Sequence, residues 1–80
     1  MSTVNAGETY ATWLRRQMDE RGFTQRGLAK QWNPADVETA RRAIRRYLKG
    51  MVPIERTRRE IASALGSEEL GPDAGDSEED

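Results

Sequence analysis

The stretch Thr39-Ala40-Arg41-Arg42-Ala43-Ile44-Arg45-Arg46-Tyr47-Leu48-Lys49-Gly50 decides how this chain folds. Ile44 and Leu48 stand four residues apart, Ala40 lies four before Ile44, and Tyr47 lies three after it. In a helix those four share one face. At about 100° per residue, Arg42, Arg45, Arg46 and Lys49 fall on the opposite arc, with Arg41 on the border. Gly50 then supplies the left-handed position that ends a helix. One short helix, about 39–49, therefore has an anchoring side and a side with five cations on or near it.

A cationic face of this density repels itself unless something anionic lies against it. Arg is a good helix former, so a solvated face is the plain alternative. Almost no carboxylates are interleaved to neutralise the face, which favours a helix lying in a nucleic-acid groove.

Eighty residues allow one small domain. With no Cys, neither a disulfide framework nor a Cys-based metal site staples it. With no His, the commonest general base and zinc ligand are missing. Stability must come from one apolar core, and helices build that economically, so the expected class is all-α. No apolar run approaches membrane-spanning length and no signal-peptide pattern opens the chain, so a cytoplasmic protein is the default expectation.

The net charge of −1 hides an asymmetry. Residues 1–66 hold all thirteen cations against seven carboxylates, a net of +6, and residues 67–80 hold the other seven carboxylates, a net of −7. The folded part is basic and the tail acidic.

Residues 1–8 are small and polar and read as a flexible N-terminus. The domain itself spans 9–66. Thr9 is a good N-cap, Tyr10, Trp13, Leu14 and Met18 follow helical spacing, and Gly22 closes a first helix over 9–21. Arg15, Arg16 and Arg21 mix with Asp19 and Glu20 on its outer side as an ordinary solvated face. Phe23 reads as a core plug at the corner, and Thr24 as the N-cap of a second helix over 25–32. Leu28, Ala29 and Trp32 form its buried stripe. Gly27 either admits another backbone or is merely tolerated. Asn33-Pro34 breaks the chain. The stripe Val37, Ala40, Ile44, Leu48 favours a third helix starting at Pro34, with Asp36 and Glu38 near its positive end. The alternative is a loop over 33–38 and a start near Thr39. A fourth helix runs from Ile54 to Leu65, with Ile54, Thr57, Ile61, Ala62 and Leu65 inward and Gly66 as its stop. From Ser67 to Asp80 the composition is that of a disordered acidic tail, in which Leu70 alone has the means to dock.

The order helix, Gly22-Phe23-Thr24-Gln25, helix, break, Arg-rich helix ending Lys49-Gly50, then Pro53 and a helix ending Ala64-Leu65-Gly66 resembles the helix-turn-helix domains of the lambda/434 repressor and Cro family, also called the XRE family. Leu14, Leu28-Ala29, Ile44, Tyr47 and Ile61-Ala62 also match, so the likeness covers residues 13–66. It is closer still to small actinobacterial and actinophage proteins with an "ARRxxRRxLxG…TRxxIAxALG" pattern. The resemblance implies a small four-helix domain that binds double-stranded DNA through the helix at 39–49. By this likeness Gln25 resembles the family's backbone-phosphate contact, and Arg41, Arg42 and Arg46 its base-reading positions. Arg45, Lys49 and Arg56 resemble register-fixing phosphate contacts. Arg58 and Arg59 belong to the same patch or are only solubilising. Between Gln25 and Gly50 the chain is about five residues longer than the usual family spacing, which alters the turn before the third helix and its docking angle. The family's fifth, dimerising helix has no counterpart in this sequence.

The leading expectation is sequence-specific DNA binding by a transcriptional regulator of phage or mobile-element type, recognising a G-containing site. The alternative is a protein-interaction module, antitoxin-like or polymerase-associated, whose basic helix binds an acidic partner. An RNA-binding module ranks below both, because Trp13, Trp32, Tyr47 and Phe23 read as core rather than as stacking platforms. The scattered carboxylates and the lack of His and Cys argue against an enzyme, and no cofactor or metal is implied. A monomer is expected in solution, with any dimer forming on the DNA. The tail either competes with phosphate for the basic face or only confers solubility.

Overall fold

The computed structural model describes residues 8–73, and among them the fold is four helices and no strand. They are α1 (Tyr10–Arg21), α2 (Gln25–Trp32), α3 (Val37–Leu48) and α4 (Glu55–Leu65). Three begin on a side-chain cap, which satisfies an N–H that has no partner inside the helix. Thr9 accepts from the Thr12 N–H, Thr24 from that of Gly27, and Asp36 from that of Thr39.

Asp36 settles where α3 starts. The helix begins neither at Pro34 nor at Thr39 but at Val37, behind a turn over 33–36 in which the Asp36 N–H donates to the Asn33 carbonyl at 3.1 Å. The apolar stripe does run through Val37 as expected, yet periodicity says nothing of the cap. The connection from α2 to α3 is thus the four residues 33–36. At the other end, Gly50 takes φ +128, the Gly50 N–H donates to Tyr47 O, and the Met51 N–H donates to Arg46 O, both at 3.1 Å. These two bonds satisfy carbonyls that the helix leaves open, and only glycine adopts that φ without strain.

Gly27 admits no second backbone. The nearest atoms to a Cβ placed there are the Thr24 Oγ1 that caps the helix, at 3.1 Å, and Phe23 Cδ1, at 3.8 Å.

Tyr10, Leu14, Leu28, Ile44 and Ile61 are wholly enclosed, and Trp13, Met18, Ala29, Ala40 and Leu65 complete the core. Phe23, Trp32, Val37, Tyr47 and Leu48 pack around it half-buried. α2 packs most extensively on α3, while α1 backs α3 and α4 backs α2. The aromatic rings form a chain through this core. Tyr10 lies 5.5 Å from Trp13 and 6.3 Å edge-on from Tyr47, and Tyr47 lies 6.4 Å from Trp32. The Trp32 indole N–H donates to Glu60 Oε1 at 3.0 Å. Tyr10 and Trp13 are buried, while Tyr47 and Trp32 are half-buried at the edge of the core.

Ile54 departs from its expected inward position. It is 69 % exposed, because it is the N-cap residue of α4 and its extended backbone (φ −66°, ψ 164°) takes the side chain off the helix's buried face. Glu8, expected in the flexible N-terminus, is pinned by Arg16 at 2.6 Å with its own side chain almost wholly buried. The remainder of that segment, 1–7, lies outside the described residues.

The first half of the expected tail, 67–73, has no regular secondary structure and lies along α1. Gly71, at φ +85, rests on Trp13 so closely that a Cβ there would stand 2.6–2.8 Å from three indole carbons. Leu70 and Pro72, both half-buried, line a cavity of about 350 Å³ with Trp13. Residues 74–80, with the last four carboxylates, lie outside the described residues. Gly71→Ala combines a strained φ with an overlap against a rigid ring. It is expected to lift this strap, cost on the order of 1–3 kcal/mol, and shift Trp13 fluorescence to longer wavelength in a Trp32→Phe background. An unshifted spectrum with an unchanged melting temperature would count against the strap.

No helix among the described residues is long and apolar enough to cross a membrane.

Candidate nucleic-acid interface

α3 presents the cations because its other side is committed to the core. Ala40 and Ile44 are 2 % and 0 % exposed, and full burial of an Ile side chain is worth roughly 1.5–3 kcal/mol. That anchor fixes the rotation of the helix. Arg42, Arg45, Arg46 and Lys49 are consequently exposed, and among the described residues none has a carboxylate within 4.0 Å. Four cations on about two turns, unneutralised and held on a rigid helix, form a strong local positive field.

Arg41 stands apart from these four. It is half-buried, its Nη2 donates to Glu38 Oε1 at 3.0 Å, and its Nε is enclosed without a partner among the described residues. Glu38 also lies 3.9 Å from Arg26 of α2. The Arg41 hydrogen bond and charge, followed by the charges of Arg26 and Arg42, hold the Glu38 carboxyl below its ordinary range. The sequence reading overlooked Glu38 as a member of this surface. Its spacing of four residues from Arg42 was the available signal.

Gln25 is half-buried at the first turn of α2, lining a shallow cleft of about 300 Å³ beside Leu48. The fold therefore brings Gln25 to the C-terminal end of α3, where Lys49 projects. Arg56 borders a different depression from Gln25. It lines a groove of about 820 Å³ between the end of α2 and α4, with Trp32 and Arg59, and no α3 residue forms its wall. Its Nε lies 3.6 Å from Glu60 Oε2. Arg59 is paired with Glu55 at 2.7 Å, and Arg58 donates to the Pro53 carbonyl at 2.7 Å, pinning the α3–α4 connection.

Three arginines expected on a solvated face prove structural. Arg15 donates to the Leu48 carbonyl at the end of α3 (3.2 Å), and Arg21 to the Leu65 and Gly66 carbonyls at the end of α4 (3.4 and 3.3 Å). Each places a cation at the negative end of a helix dipole. Arg16 holds Glu8. Their partners lie far away in sequence, except for Glu8, and no local pattern announces them.

Behind the interface, the Tyr10 hydroxyl is buried with no hydrogen-bond partner among the described residues. Burial first and the neighbouring Tyr47 second push its pKa far above the ordinary value near 10, against a smaller opposing effect of Arg58. Burial also raises Tyr47. A raised folded pKa means that the unfolded chain ionises first. The stability this group contributes is whole below about pH 10 and is lost as pH climbs above it. Tyrosinate absorbance from Tyr10 should therefore appear only together with loss of the helical circular-dichroism signal. Tyr10→Phe should be neutral or stabilising and should move the alkaline midpoint upward. Ionisation of both tyrosines in a fully helical protein would show that Tyr10 is accessible.

Comparison of the chain with protein-family models, with curated proteins and with solved structures finds no significant match.

Proposed function

We propose that this chain is a sequence-specific double-stranded DNA-binding protein, a transcriptional regulator of phage or mobile-element type, with α3 lying in the major groove. The exposed and unneutralised stripe Arg42, Arg45, Arg46 and Lys49, on a helix whose other side is locked into the core, carries this reading. Twelve residues give α3 a length of about 18 Å, and the major groove, about 12 Å wide, admits a helix. The resemblance to the lambda/434 repressor and Cro family supports the same placement.

In this reading Arg41, Arg42 and Arg46 contact base edges, and Arg bidentate to the O6 and N7 of guanine gives a G-containing site. Arg45 and Lys49 hold phosphates, and Gln25, at the end of α3, holds the backbone beside them. Arg56, in the first turn of α4, holds a further phosphate. The protein is a cytoplasmic monomer, and any dimer forms on the DNA over half-sites about one helical turn apart. A stable dimer by light scattering at micromolar concentration would contradict that.

A second reading has its own support. Met51 and Ile54 are the exposed large hydrophobics, 53 % and 69 %, on the pinned connection directly after Lys49. An apolar pair beside a cationic helix also suits an acidic, partly apolar protein partner. Selection of bound duplexes from a random library separates the two. An enriched motif supports the regulator. No enrichment, together with loss of partner binding in Met51→Ala and Ile54→Ala, supports the interaction module.

A further inference from the structure

α3 carries a second feature among its cations. Glu38, Arg42, Arg45 and Lys49 follow one another at spacings of four, three and four residues, so they share one stripe of the helix surface. All four are exposed. Glu38 is the only carboxylate within the helix.

Capping does not account for its place, and its partners are the cations themselves, Arg41 at 3.0 Å and Arg26 at 3.9 Å. The cap is already supplied by Asp36, whose side chain accepts from the Thr39 N–H. A favourable interaction with the helix dipole is open to any side of the first turn, including sides away from the cations. On a surface laid against phosphates a carboxylate is repelled, so its position at the head of the cationic stripe suits a donor on the ligand.

The major groove offers such donors as exocyclic amino groups, and a carboxylate side chain accepts from cytosine N4. The geometry narrows this further. Arg41 Nη2 and Glu38 Oε1 stand 3.0 Å apart, so guanidinium donors lie directly beside a carboxylate acceptor. A G·C pair shows the complementary array, with the guanine N7 and O6 acceptors beside the cytosine amino donor. Arg26 of α2, 3.9 Å from the other oxygen, braces the carboxylate from behind.

We infer that Glu38 is a specificity-determining residue of α3, which accepts from the cytosine amino group of a G·C pair while holding Arg41 against the guanine of that pair. This rests on the DNA-binding reading above. Glu38 lowers affinity for every duplex through repulsion of phosphate and restores it only where the amino group is present. It thereby converts general affinity into discrimination.

The test is selection of bound duplexes from a random library with the full chain, its Glu38→Gln variant and its Arg41→Ala variant. Glu38→Gln keeps the shape and removes the charge, and an unchanged thermal midpoint checks the fold. The wild-type motif is expected to contain a fixed G·C pair. In Glu38→Gln and Arg41→Ala that one position relaxes, with discrimination there falling about 5- to 100-fold, while the rest of the motif persists. Glu38→Gln also binds random duplex more tightly than wild type, and the gain shrinks as salt rises. A Glu38→Gln motif identical to wild type at every position overturns the inference and leaves the DNA-binding reading standing. A uniform loss across the motif overturns it equally, since Glu38 then only supports the helix. A wild-type protein that enriches no motif removes both.

Discussion

Ile44→Ala is expected to lower the stability of the domain by about 2–5 kcal/mol. Ile44 is wholly enclosed between α1, α2 and α3, so truncation removes its buried methyl and methylene groups and leaves a cavity that the three helices close only in part. Small domains hold only about 5–15 kcal/mol in total, so this single change consumes a large share. The melting temperature should fall by on the order of 10–30 °C. Arg46→Ala, two residues along but on the exposed side, should stay within about 0.5 kcal/mol of wild type. A melting temperature unchanged in Ile44→Ala would refute the assignment of faces on which the cationic surface depends.

The second large effect concerns recognition. Arg42→Ala and Arg46→Ala are each expected to reduce discrimination between target and random duplex by about 1–3 kcal/mol with the fold intact. Both side chains are exposed and unpaired among the described residues, so their removal strands no buried charge, and Ala is the strongest helix former. Gln25→Ala and Lys49→Ala should instead weaken all duplexes about equally, because phosphate contacts carry no sequence information. Competition between the selected motif and random duplex reads the two patterns directly. Uniform loss in all four variants would show that α3 binds DNA without reading it.

How much of this was legible in the chain differs from element to element. α1 and α2 follow from Thr9, Gly22 and Thr24, because caps and left-handed glycines are local chemistry and act over three or four residues. The start of α3 was harder. The stripe through Val37 pointed to an early start and Pro34 to a broken chain, and the outcome turned on which of several first-turn acids captured a free N–H. Ile54 fits the spacing of Thr57 and Ile61, yet helical spacing holds only once the backbone is helical, and Ile54 sits one residue before that. The cations of α3 were legible as a face, whereas Glu38 was read only as a dipole partner, although its spacing of four from Arg42 already placed it on that face.

The sequence by itself determined four helices, the caps of α1 and α2, the stops at Gly22, Gly50 and Gly66, the apolar stripes of Leu14, Leu28, Ile44 and Ile61, and the segregation of positive charge onto one side of α3. These are properties of residues within a few positions of one another, where backbone geometry fixes who meets whom. Tertiary structure alone decided that Arg15 and Arg21 close the ends of α3 and α4, across 33 and up to 45 residues. It alone decided that Gly71 rests on Trp13, that Arg26 of α2 comes within 3.9 Å of Glu38 of α3, and that Arg56 and Trp32 line one groove. Each of these depends on how helices cross. Crossing is set by the joint packing of all the apolar faces into one core, a constraint that no single segment contains.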